Sequence, residues 1–174
     1  GKYQFQPELP FIPGNECSGE IEAVGAAVTR YKVGDKVISA AGTGAFCERI
    51  VANENAVFPM PRSLSFEQAA GVSITYFTSY YALKQRANLQ SGETMLVLGA
   101  AGGVGSVAVA VLSHLGYRVV ASTGRSRETG YLTGLGAAEV VDRKRFSDLP
   151  KPLGRERWAA AVDVAGGRTL ANVL

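Results

Sequence analysis

Gly99-Ala100-Ala101-Gly102-Gly103-Val104-Gly105 is the stretch of this sequence whose residue types and spacing can do chemistry. It is a G-x-G-x-x-G pattern with Ala100 at the first glycine, followed by Gly102 and Gly105. The apolar run Thr94-Met95-Leu96-Val97-Leu98 reads as a strand entering the turn, and a helix is predicted to leave it. Small residues let the backbone approach oxygen atoms closely. A helix N-terminus adds unpaired N–H groups and a partial positive charge, so this arrangement holds a pyrophosphate. The strand before and the helix after raise the motif above a chance glycine triplet.

A second segment, about 20 residues further on, bears on which dinucleotide binds. Tyr117-Arg118-Val119-Val120-Ala121 reads as the next parallel strand, and Ser122-Thr123-Gly124-Arg125 follows it. An NAD-specific site places Asp or Glu here for the ribose 2′-hydroxyl. No carboxylate stands here to repel a 2′-phosphate, and Arg125 can pair with one. The reading is therefore NADPH over NADH; the alternative is that Arg125 is a solvated charge at a helix entrance.

These residues need elements to position them. Strand and helix alternate from about residue 92. A helix is predicted after the glycines, with Val104, Val107, Ala108, Val111, Leu112 and Leu115 on one apolar face. A shorter helix follows around Arg127 to Leu135. Glu139-Val140-Val141-Asp142 reads as a third strand, and Trp158 to Val164 as a fourth, ended by Gly166-Gly167; Thr169 to Leu174 starts another helix. That alternation predicts a parallel sheet with crossover helices. Asp163 falls at the strand ends that carry the ligand and is expected to serve a turn.

Upstream, residues 1 to about 60 are β-rich, with strands expected over Cys17–Val24, Lys36–Ile38, Gly44–Val51 and Ala56–Phe58. Short strands with Gly and Pro turns point to a small barrel or sandwich. Ser65 with Gln68 forms a capping-box pattern that opens a helix at Phe66. Ile74 to Arg86 continues as an aromatic-rich helical segment. Its Tyr76, Phe77, Tyr80 and Tyr81 are expected to form a core stripe rather than a flat substrate wall.

Composition agrees with a globular chain. Of 174 residues, 47% are hydrophobic and 19% charged, which excludes a disordered polyelectrolyte. A net charge of +3 suits anionic ligands without demanding nucleic acid. No apolar run is long enough for a membrane span, and no signal peptide opens the sequence. Cys17 and Cys47 fit no disulfide framework and are expected to be reduced thiols in a cytoplasmic protein.

Together, Pro13-Gly14-Asn15-Glu16-Cys17-Ser18-Gly19, Val33-Gly34-Asp35-Lys36-Val37, Leu64-Ser65-Phe66-Glu67-Gln68-Ala69-Ala70, the glycine turn and Leu135-Gly136-Ala137 stand in one order and spacing. In these the chain resembles the medium-chain dehydrogenase/reductase superfamily, in its zinc-independent NADPH:quinone oxidoreductase branch. From Gly103 onward it is more similar to the acrylyl-CoA reductase-type branch, through Gly105-Ser106-Val107-Ala108-Val109, Leu115-Gly116-Tyr117, Ser122-Thr123-Gly124-Arg125, Tyr131-Leu132 and Arg157-Trp158-Ala159.

The resemblance implies an α/β fold. A partial GroES-like catalytic domain with linking helices is expected over residues 1–88, and the first half of a Rossmann-type NADP-binding domain over 89–174. It also implies a chain about twice this length, so a fragment or chimera is expected. Zinc-dependent relatives carry Gly-His-Glu where this chain has Gly14-Asn15-Glu16, and Asn is a poor zinc ligand. No metal is expected; His114, the single histidine, is read as capping a helix C-terminus.

Carried over residue by residue, Ala101, Gly102, Gly103, Val104 and Gly105 match the pyrophosphate turn. Thr123, Gly124 and Arg125 match the adenosine-phosphate segment. Arg143 matches a further basic contact, or belongs to a solvated run with Lys144 and Arg145. Thr78 matches the threonine facing the nicotinamide, or bonds back to its own helix. Tyr3 aligns with a tyrosine at the mouth of the quinone-reductase cleft, or is a surface aromatic. No catalytic residue is assigned.

The expected function is NADPH-dependent reduction of an activated double bond in a quinone, enone or short enoyl-CoA. Charge developing on the substrate oxygen would need N–H or hydroxyl donors. The alternatives are a zinc-free alcohol dehydrogenase, a non-catalytic nucleotide- or RNA-binding relative, and an inactive fragment. Small-molecule substrates and a family-type homodimer are expected as partners, and nucleic acid and membrane are not.

Overall fold

The computed structural model describes residues 6–40, 42–86, 89–90, 92–147 and 157–173. Tyr3 and Leu174 lie outside the described residues. The chain divides into two compact units, Gly1–Ile74 and Thr75–Leu174.

The first unit is built on three short strands, β1 (Cys17–Glu20), β2 (Lys36–Ser39) and β3 (Val57–Pro59). They pair antiparallel in the order β1-β2-β3, with Cys17 opposite Ser39 and Ile38 opposite Phe58. The expected barrel or sandwich is thus an open three-stranded sheet among the described residues. The β1–β2 connection closes through Ile21 N to Asp35 O and Gly34 N to Ile21 O. Gly34 takes φ +88° there, a left-handed conformation that costs glycine nothing. Helix α1 (Phe66–Ala70) starts as its sequence pattern dictates. The Ser65 hydroxyl accepts from Gln68 N and the Gln68 side chain accepts from Ser65 N. Ser18 Oγ donates to Phe66 O and holds α1 on β1.

The strand expected over Gly44–Val51 does not form. Gly44, Ala45 and Phe46 send their N–H groups to the carbonyls of Ile12, Gly14 and Pro13 instead. Gly42 and Gly44 adopt positive φ, which breaks extended geometry before a ladder can start. Phe46 is 74% exposed and Val51 fully so; the alternating apolar residues of this segment have no sheet face to bury them.

The second unit contains a four-stranded parallel sheet made of β4 (Thr94–Leu98), β5 (Arg118–Thr123), β6 (Glu139–Asp142) and β7 (Ala160–Asp163), in the order β6-β5-β4-β7. The chain steps outward from β4 to β6, then returns to the other side of β4. Ligands of such sheets lie beyond the carboxyl ends of the strands where the order reverses.

Strand β4 is apolar from Met95 to Leu98, and β5 is apolar from Val119 to Ala121, because both their faces are covered there. Met95, Val97, Val119 and Ala121 pack with Ala108, Val109 and Leu112 of helix α3 (Gly103–His114) and with Leu132 of α4 (Thr129–Gly134). Leu96, Leu98 and Val120 pack on the other face with Val141 and Phe146. The buried arc of α3 is wider than its sequence pattern predicts. Val109 is fully buried while Val111 and Leu115 are only half-buried, because the helix also carries Gly105 and Ser106 inward. His114 stands exposed in the last turn of α3. Helix α5 (Gly167–Ala171) follows β7.

Helix α2 (Val72–Tyr80) passes into a wider π-type turn over Tyr81–Arg86. The expected aromatic core stripe is not what it buries. Tyr76, Phe77, Tyr80 and Tyr81 are 46–54% exposed, whereas Ser73, Ser79 and Leu83 are at most 4% exposed. Small side chains let this helix approach its neighbours, and the rings are turned out.

Candidate nucleotide site

The glycine turn begins where β4 ends. Gly99 takes φ +67°, and Ala100 N donates to Ser122 O, which ties the turn to the end of β5. Gly102 N donates to Gly99 O, and Gly102 then caps α3 with extended backbone, at φ −90° and ψ 171°. No side chain caps the helix. Its first-turn N–H groups, from Gly103 onward, are therefore the free donors an anion needs.

Closeness demands glycine at two of these positions and leaves a third tight. A Cβ on Gly105 would stand 2.4 Å from Gly99 O and 2.9 Å from Ala100 Cα, so any larger residue would push the helix off the strand. A Cβ on Gly99 would meet Val164 Cγ2 at 2.7 Å. One on Gly102 would lie 3.3 Å from Gly99 O. Ala101 is half-buried beside them, and Gly103 is exposed.

The second cluster lies at the carboxyl ends of β5 and β6. Thr123 pairs in register with Asp142, so Gly124-Arg125 and Arg143 leave the sheet side by side. Thr123 Oγ1 accepts from Arg125 N at 3.1 Å and sets the chain's exit from β5. The Arg143 side chain lies over Gly124. A Cβ there would come within 2.7 Å of its Nε and 2.8 Å of its Cδ.

The run Arg143-Lys144-Arg145 is therefore not uniform. Arg145 pairs with Glu139 at 3.3 Å, as does Arg118 at 3.9 Å, and Arg127 pairs with Glu128 at 3.2 Å. Arg125 and Arg143 have no carboxylate partner among the described residues, which leaves two exposed guanidinium groups at one sheet edge.

Asp163, at the end of β7, accepts from Ala165 N and Gly166 N at 3.0 Å and so serves the turn expected of it. Thr78 lies exposed on α2. Its neighbour Ser79, which no local motif singles out, is buried, and its one hydroxyl proton is shared between Thr75 O at 2.9 Å and Val104 O at 3.1 Å. The structure thus brings Ala101 to Gly105 together at one turn and Thr123, Gly124, Arg125 and Arg143 together at another. Thr78 is not brought into either group; it stands exposed next to Ser79 on α2. A dinucleotide fits this donor set: backbone N–H groups for a pyrophosphate, and exposed guanidinium groups for a phosphate on the ribose.

In the first unit, Glu16 Oε2 accepts from Ile74 N at 2.8 Å. Burial, and secondarily Cys47, raise the Cys17 thiol above its ordinary value. Among the described residues no three His, Cys, Asp or Glu side chains gather as a metal site requires. No helix among them is long and apolar enough to cross a membrane.

Comparison with known proteins supplies the family. Residues 1–62 match the alcohol dehydrogenase GroES-like domain. The chain is 40% identical to a quinone oxidoreductase-like protein 2 homolog of Nematostella vectensis, over 88% of this chain and 43% of that protein. It is 39% identical to the acrylyl-CoA reductase AcuI of Ruegeria pomeroyi, over 96% and 53% of the two chains. The structure of E. coli K-12 YhdH with bound NADPH superimposes with a TM-score of 0.85 at 31% identity, over 99% of this chain and 55% of that one. The chain spans about half the length of the curated relatives it matches. From the glycine turn, the sheet order and these likenesses together, the chain belongs to the medium-chain dehydrogenase/reductase superfamily.

Proposed function

We propose that this chain carries the nucleotide site of an NADPH-dependent oxidoreductase that reduces an activated double bond in a quinone, enone or short enoyl thioester, without zinc. The observation that carries the reading is the pair of exposed guanidinium groups, Arg125 and Arg143, which have no carboxylate partner among the described residues, at the edge where β5 and β6 end. A carboxylate would stand there in an NAD site. The Arg143 side chain lies over the bare backbone of Gly124, and the Thr123 hydroxyl accepts from the backbone N–H of Arg125, which sets the chain's path out of β5. Both are placed to hold a 2′-phosphate through charge-assisted hydrogen bonds.

Ala101, Gly102, Gly103, Val104 and Gly105 hold the pyrophosphate on the N-terminus of α3. Thr78 serves the nicotinamide end. The chemistry a bound dihydronicotinamide supplies is hydride; the protein's share is to orient it and to provide donors for negative charge on the substrate. The related quinone oxidoreductase and acrylyl-CoA reductase support this substrate class. Asn15 beside Glu16, and a Glu16 carboxylate engaged by Ile74 N–H, support the zinc-free reading.

Fluorescence titration with NADPH and NADH tests the proposal. NADPH is expected to bind more tightly, and Arg125→Ala to weaken it by roughly tenfold or more while leaving NADH unchanged. Equal affinity for the two nucleotides, unaltered in the variant, would reject the assignment.

A further inference from the structure

Ser79 is 1% exposed in the middle of a helix, flanked by residues that face water. A serine buried so deeply in a helix ordinarily bonds back to the carbonyl four residues earlier. Ser79 does so at Thr75 O, 2.9 Å away, and also reaches out of its own helix to Val104 O at 3.1 Å. Val104 belongs to the first turn of α3, where the pyrophosphate is assigned. A second contact lies alongside: Thr75 Cγ2 would stand 3.1 Å from a Cβ on Gly103. Thr75 and Ser79, one helical turn apart, thus form the face on which α2 meets the start of α3. The aromatic side chains of α2, Tyr76, Phe77 and Tyr80, are about half exposed, whereas Ser79 is buried.

We propose that Ser79 is a positioning residue for the nicotinamide end of the site. Its hydroxyl ties α2 to the pyrophosphate turn and so fixes Thr78, the next residue along, relative to the bound nucleotide. The proposal rests on the nucleotide reading above. It assigns Ser79 no contact with the nucleotide. Without the hydroxyl, α2 keeps its backbone hydrogen bonds but loses the side-chain bond to Thr75 O and its polar anchor on α3. Binding at the adenosine end, set by Arg125 and Arg143 on another edge, is left alone.

The experiment compares two probes on the full chain, NADPH and 2′-AMP, the latter carrying the ribose phosphate without a pyrophosphate or a nicotinamide. Ser79→Ala is expected to weaken NADPH roughly three- to tenfold, the range of one lost hydrogen bond. The fluorescence enhancement of the bound nicotinamide should fall with it, and 2′-AMP affinity should hold. Ser79→Thr, which keeps the hydroxyl, is expected to restore both signals. Unchanged NADPH affinity and fluorescence in Ser79→Ala would overturn the proposal, as would equal weakening of both probes, which marks a merely structural role. Where Ser79→Ala does not fold, as judged by its thermal transition, Ser79→Cys gives the same comparison with a weaker donor of similar size. A folded wild-type chain that binds neither probe would reject the nucleotide reading itself and this proposal with it; failure of the positioning role alone leaves wild-type binding intact.

Discussion

The two sheets of this chain bury themselves in opposite ways. In the parallel sheet, Met95, Leu96, Val97, Leu98, Val119, Val120 and Ala121 are each at most 1% exposed, with side chains from both faces enclosed. In the antiparallel sheet, full burial is confined to Val37, Ile38, Ser39 and Val57, while Phe58 is 37% exposed on the edge strand. Each enclosed Leu or Val side chain contributes about 1.5–3 kcal/mol relative to leaving it in water. The parallel sheet collects many such contributions and the antiparallel sheet few. The lesson concerns where precision can be built. The glycine turn and Arg125 grow from the ends of the enclosed strands β4 and β5, whereas Arg143 leaves the edge strand β6, so most of these donors are held by the best-buried part of the chain.

The sharpest way to break that arrangement is Gly105→Val. The nearest atoms to a new Cβ are backbone, Gly99 O at 2.4 Å and Ala100 Cα at 2.9 Å, and backbone cannot swing aside like a side chain. Overpacking commonly costs about 1–3 kcal/mol, and a clash with a turn belongs at or beyond the top of that range. Thermal unfolding should show a large drop in Tm, and NADPH titration should show loss of binding. A variant with wild-type stability would mean that α3 is free to move away from β4, and the contrast between the sheets would fail.

A matched pair of truncations measures the contrast itself. Leu112 is fully buried in the core between α3 and the parallel sheet; Leu112→Ala is expected to cost about 3–4 kcal/mol. Ile38 is 2% exposed but has a thinner shell that can settle around the gap, so Ile38→Ala is expected to cost about 2 kcal/mol, at the low end of such changes. Hydrogen exchange reads both locally. Amides of β4 and β5 should exchange most slowly, and Leu112→Ala should accelerate them with little effect on β1 to β3. Equal protection of the two sheets would remove the distinction.

The same contrast explains what could be read from the sequence. Continuous apolar strands, a turn of small residues and a helix with one apolar face are local signals, and all of them reappear in the second unit. The Ser65–Gln68 capping box is equally local and forms as written. What failed depended on partners. Gly44–Val51 alternates like a strand, but its first N–H groups find the Ile12–Gly14 carbonyls and no ladder follows. Tyr76, Phe77, Tyr80 and Tyr81 are large and apolar, yet α2 buries its serines, because close approach to α3 favours small residues. Ser79 was illegible for that reason. Its hydroxyl matters through Val104 O, 25 positions away in the chain, and no local spacing encodes such a contact. The clustering of Arg143 on Gly124 is intermediate: the basic residue was visible, but its seat came only with the β5–β6 register.

The mildest test concerns acid, and it separates the units by charge rather than packing. Two carboxyls of the first unit are held below their ordinary values. Asp35 is lowered by hydrogen bonds from the Lys32 ammonium and backbone N–H, and Glu67 by its own N–H and the Ser65 hydroxyl. A carboxylate with a depressed folded value stabilises the fold above its unfolded value, and that contribution is lost as pH falls through the folded one. Glu67 is exposed and Asp35 lies in a surface turn, so the effect is local and small. As pH drops below about 4, the turn at Asp35 and the start of α1 should loosen first, seen as chemical-shift changes at the Lys32 and Gln68 amides. Ser65→Ala should move the Glu67 midpoint upward and leave Asp35 where it is. If both midpoints moved together, the two carboxyls would be reporting loss of the antiparallel sheet as a whole, and its weakness would lie in its packing alone.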